Sequence, residues 1–162
     1  MTERFHGKYL GIVVDNDDPK GLARLRVKIP EVFGEEPTGW CMPCSPYTGA
    51  GTGLAAVPPV DSLVFVEWSG GDTSRVPIWS GGAWPDGGGV EDAGPDAIVL
   101  TTPGGHRVVL RDTSGDEAIE VEAVSGAKVV LNADGVLVEF GSQKLAVSRT
   151  SISINDGALE VR

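Results

Sequence analysis

Basic residues, cysteine, histidine and aromatic residues are all scarce in this chain of 162 residues. Lys and Arg number 13 against 23 Asp and Glu, a formal charge of −10. That balance opposes a phosphate backbone, so no nucleic-acid partner is expected. The two cysteines, Cys41 and Cys44, form one CxxC in WCMPCSPY, without the second Cys or His pair that a zinc site needs. Pro43, Pro46 and the glycines beyond them argue against the helix that follows a redox CxxC, which leaves buried or half-buried free thiols. The histidines are His6 and His106 only. Neither has an identifiable Ser, Cys or acid partner for nucleophilic or general-base chemistry, so no enzyme activity, metal or cofactor is expected. No apolar run approaches the roughly 18 residues of a membrane helix. The start, MTERFHGKYLGIVV, has no signal-peptide core or cleavage site, which predicts a soluble chain.

Two local patterns resemble ligand loops and fail on spacing. Gly49-Ala50-Gly51-Thr52-Gly53 lacks the lysine and the following helix of a phosphate loop, and reads as a flexible loop. Asp15, Asp17 and Asp18 are followed by Pro19, which breaks calcium-loop spacing, and read as a solvated hairpin turn.

Glycine and proline are abundant instead, 23 and 11 residues, about a fifth of the chain against a usual ~12%. Many short elements separated by turns, an all-β protein, are implied. In the first half, strand-like runs lie at 9–15, 23–29, 39–42, 63–68 and 75–79. Leu25, Val27 and Ile29 alternate with Arg24, Arg26 and Lys28, as in a half-buried strand. Residues 63–68 are apolar on both sides, as in a central strand. Five short strands fit a small barrel of the OB type. Trp40, Phe65, Trp68 and Trp79 are its candidate barrel-core aromatics or contacts to a hub or to other copies, because no basic groove accompanies them as single-strand stacking requires. The domain reading is a barrel over 1–84, a Gly/Pro-rich connector over 85–97 and a second part over 98–162.

That second part repeats short alternating pieces centred near Val99, Val109, Glu120, Val130, Val138, Ala146, Ser153 and Glu160, punctuated by Gly-containing turns. The repeat points to a β-solenoid or prism. Its apolar positions come in pairs: Val108 and Leu110, Ile119 and Val121, Val129 and Leu131, Val136 and Val138, Leu145 and Val147, Ile152 and Ile154, Leu159 and Val161. Two apolar side chains per strand cannot enclose a core, so other copies must complete it. Three intertwined copies would make a prism of eight levels at about 4.8 Å each, a rod on the order of 40 Å long.

Several segments together resemble the central spike of contractile tails, the family that includes phage baseplate assembly protein V, the spikes of extracellular injection systems and the VgrG spike of type VI secretion. They are YLGIVVDNDDPKGLARLRVKIP (9–30), Trp40, GTGLAAVPPVDSLVFVEWSGGD (51–72) and RVPIWSGG (75–82), then TPGGHRVVLRDTSGDEAIEV (102–121). Asp61 stands where relatives commonly carry Gly. The resemblance implies a homotrimer with OB collars seated on a separate hub at the end of the tail tube among other baseplate components. It implies a β-helix needle that contacts and pierces the target membrane. It also implies assembly in the bacterial cytoplasm into a phage tail or a tail-like particle. Leu159, Glu160, Val161 and Arg162 would form a blunt end that receives a PAAR-type tip, with no metal apex. His106 is expected to pack where collar meets needle, and Asp112, Asp116, Glu117, Glu120, Glu122 and Glu139 to make an acidic outer face. The alternatives are an OB module binding carbohydrate or single-stranded nucleic acid, and a wall hydrolase, which would need paired acids in a cleft.

Overall fold

The alternation at 24–29 sets the first layer. In the computed structural model, which describes residues 4–161, Leu25, Val27 and Ile29 are completely buried. The chain divides after Gly88 into two units.

The first unit contains β1 (Tyr9–Asp15), β2 (Arg26–Lys28), a single helical turn α1 (Pro30–Phe33), β3 (Met42–Pro43), β4 (Thr48–Gly49), β5 (Thr52–Gly53), β6 (Leu63–Glu67) and β7 (Ile78–Ala83). A curled sheet has the order β2-β1-β6-β7-β3. Only the β3–β7 pair is parallel. Register shifts at Val13/Asp15 and Val64/Val66 supply the bends that curl it. Its two edges are stitched where Leu25 and Cys41 exchange backbone N–H···O bonds of 3.2 and 2.7 Å. This is the expected OB fold. Val13, Leu25, Val27, Ile29, Cys41, Val64 and Val66 fill it, with Trp68 and Trp79. A Cβ on Gly11 would come within 2.4 Å of Val27 Cγ1, so only glycine lets β1 lie this close to β2. Asp61 has φ 70°, a left-handed conformation for which Gly is the least strained residue.

Several local expectations are corrected. The fifth strand is Ile78–Ala83 rather than 75–79: Pro77 has no N–H to donate, and the chain stays paired through Ala83, opposite Leu63. The run at 39–42 yields only the Cys41 bridge and β3. The Gly-rich loop at 49–53 forms the β4–β5 hairpin. Cys41 is buried, yet Cys44 is exposed. Burial pushes the Cys41 thiol up to about 11.

Asp18 is not solvated. Its side chain is 4% exposed and ion-paired with Arg24. It also accepts backbone N–H bonds from Lys20 and Leu22 at 3.0 and 2.8 Å, closing the β1–β2 turn. Arg24 in turn lies 5.2 Å over the Trp40 ring.

The second unit is a meander of β8 (Ala97–Thr101), β9 (Arg107–Arg111), β10 (Ala118–Glu122), β11 (Lys128–Asn132), β12 (Gly135–Phe140), β13 (Gln143–Val147), β14 (Ile152–Ile154) and β15 (Leu159–Val161). Each strand pairs antiparallel with its sequence neighbours in one eight-stranded sheet. Among the described residues the interior strands are thus paired on both sides within one chain, and only the outer edges of β8 and β15 are left without a partner.

Candidate functional site

Strand alternation sends every second side chain to one face, and the register then aligns those side chains from strand to strand. Ile98 pairs with Leu110, Leu110 with Ile119 and Ile119 with Leu131. The column continues through Val136, Val147, Ile152 and Val161. A second column runs from Leu100 through Val108, Val121, Val129, Val138, Leu145 and Ile154 to Leu159. All fourteen residues expected to form the needle core fall into these columns. Ile98 and Leu100 were missed because they follow directly on the connector, although the alternation in AIVLT marks them.

Fourteen of these sixteen side chains are exposed, and Val108 and Val129 are half-buried. Such an uninterrupted aliphatic face exceeds what soluble monomers leave in water. Covering the exposed half of each side chain contributes about 1 kcal/mol, on the order of 10 kcal/mol per copy, comparable to the net stability of a whole domain.

The opposite face is charged but not simply acidic. Arg107 stands across from Glu122, Glu122 from Lys128, Lys128 from Glu139 and Glu139 from Lys144, an alternating ladder. Glu120 sits between Arg111 and Lys128, at 3.3 and 2.6 Å. Arg107 pairs with Glu91 and Asp92 of the connector, and Val109, two residues along on the same face of β9, is buried. Asp112, Asp116 and Glu117, expected on this outer face, lie instead in the β9–β10 connection. His106 is exposed in the β8–β9 turn, where its Nδ1 accepts the Val124 N–H at 3.4 Å.

The end of the sheet is β15, where Leu159 and Val161 are exposed and Glu160 pairs with Ser153. Arg162 lies outside the described residues. In the barrel, Trp68 and Trp79 are core residues, and the Trp79 indole N–H donates to Ala23 O at 3.0 Å. Phe65 and Trp40 are half-buried outside that core, and Trp40 is covered by Arg24. An open apolar pocket lies beside the β4–β5 hairpin, lined by Leu22, Cys44, Leu54 and Trp79. Among the described residues no His, Cys, Asp and Glu side chains group as a metal site would.

An OB barrel joined to a sheet that leaves one whole face for other copies defines a structural, self-assembling protein. Two family models cover most of the chain. Residues 9–84 match the type VI secretion system/phage-baseplate injector OB domain, and residues 97–160 match the phage baseplate V C-terminal trimerisation domain. The chain belongs to this family as a spike protein of the baseplate V and VgrG type. Its role is structural, in the baseplate of a phage tail or related injection apparatus. The trimerisation domain supports a homotrimer. A search of curated proteins returned no match.

Proposed function

We propose that three copies close their aliphatic faces on one axis, each contributing a wall, to make the needle that pierces the target envelope. The observation that carries this reading is the pair of unbroken aliphatic columns on a sheet whose strands pair within one chain. In this reading a separate hub at the end of the tail tube receives the barrels. A PAAR-type tip covers the far end, where the outer edge of β15 is unpaired within the described sheet and offers backbone donors and acceptors. The spike assembles in the bacterial cytoplasm with the other baseplate components. A strut of this kind suits axial load, because bending it requires breaking many ladder bonds together.

Light scattering on the purified chain tests the proposal, with a mass of three chains expected. Val129→Asp sets three carboxylates around one axis and is expected to abolish the trimer while the Trp68 and Trp79 signals of the folded barrel persist. Particles built with that variant are expected to lose delivery into target cells. A Val129→Asp trimer with unchanged melting temperature would remove the aliphatic face as the core.

A further inference from the structure

The aliphatic face has two margins, and they differ chemically. The ladder extends one residue beyond the strand ends: Asp112 N donates to Asp96 O at 2.8 Å, and Thr102 N to His106 O at 2.9 Å. By the two-residue alternation, Asp96 and Asp112 lie on the aliphatic side at one margin, and Thr102 and His106 on the same side at the other. Asp96, Asp112 and His106 are exposed, and neither aspartate has an ion-pair partner among the described residues. On the opposite face Glu120 and Glu139, by contrast, are paired with cations. The acidic margin is thus left with charge that its own chain does not answer.

Closure of identical walls about a threefold axis is head-to-tail, so one margin of each copy meets the other margin of the next. An axis along the columns brings each strand to the same height on its neighbour. At the height of β9 the two margins carry His106 and Asp112. We infer that the corners of the needle are seams in which His106 of one copy meets Asp112 of the next, three times around the axis. At the height of β12 the same corner brings Phe140, 59% exposed, onto the Ala133-Asp134 turn of the next copy. The partner is a second copy of this chain, and the inference rests on the trimeric reading above. The seam adds what the columns lack: a charge-assisted contact that distinguishes head-to-tail closure from pairing of like margins, where aspartate would face aspartate.

The test is a disulfide across the seam. His106→Cys/Asp112→Cys is made in the full chain with Cys41→Ala and Cys44→Ser. The two new thiols flank β9, about 20 Å apart along an extended strand, too far to pair within one copy. Mild oxidation is expected to convert the protein to covalent trimer on a non-reducing gel, with each single-cysteine variant remaining one chain. Thr102→Cys/Asp96→Cys repeats the readout at the height of β8, should the first pair disturb folding. A native mass of three chains without covalent trimer from either pair overturns the seam and leaves the trimer standing, as do single-cysteine variants that link into dimers. A native mass of one chain overturns both.

Discussion

Asp18 and Arg24 show how much one residue pair can organise. Arg24 and the backbone N–H groups of Lys20, Leu22 and Arg24 hold the Asp18 carboxyl well below the usual carboxylate range, with the Arg24 guanidinium the largest cause. A carboxylate whose pKa is depressed in the folded state stabilises it above the unfolded value of about 4, and loses that contribution as pH falls through the folded value. Asp18→Asn is therefore expected to lower the melting temperature of the barrel at pH 7. The difference from the parent should shrink steadily below about pH 4. Thermal scans from pH 7 to 2 check this, and a difference that does not change with pH would show that the ion pair is not its source.

At the scale of the element, the sheet is specified on both faces at once. A slip of one residue in any hairpin would turn the aliphatic columns outward and break the Arg107-Glu122-Lys128-Glu139-Lys144 alternation. Glu120 carries the most in this arrangement, because it answers two cations. Glu120→Lys would put three cations side by side on a half-buried patch and is expected to cost about 1 kcal/mol, whereas Glu120→Gln, which keeps a side-chain acceptor there, should cost about half as much. Chemical denaturation of both variants at low and high salt separates the charge effect, since salt should narrow the gap. Equal losses in the two would point to packing instead.

Across the whole molecule the two units have different sources of stability. The barrel buries its own core. The meander has Val109 as its one buried apolar residue among those described and, in the proposed trimer, depends on cover from other copies. Unfolding is therefore expected to show a concentration-independent transition for the barrel and a second transition that rises in temperature with protein concentration. Calorimetry over a hundredfold range of concentration distinguishes this from a single fixed transition, which would mean that the sheet is stable alone.

Alternation and turn chemistry are local properties, and they were legible in the residues. The centres of the eight strands of the second unit, the buried set Leu25, Val27 and Ile29, and the sharing of one sheet face by fourteen aliphatic positions follow from period two and from Gly at the turns. The positions misjudged depend on partners distant in the chain. Residues 80–83 are strand because β6 lies beside them, and nothing in Ser-Gly-Gly-Ala announces that. Asp18 looks like any turn aspartate until folding brings Arg24 and three backbone N–H groups around it. The outer face looked acidic in composition, and pairing across strands made it an alternating ladder. Which side chains share a face is a matter of spacing along the backbone. Which charges are answered, and which strand edges are joined, depends on contacts that exist only once the chain has closed on itself.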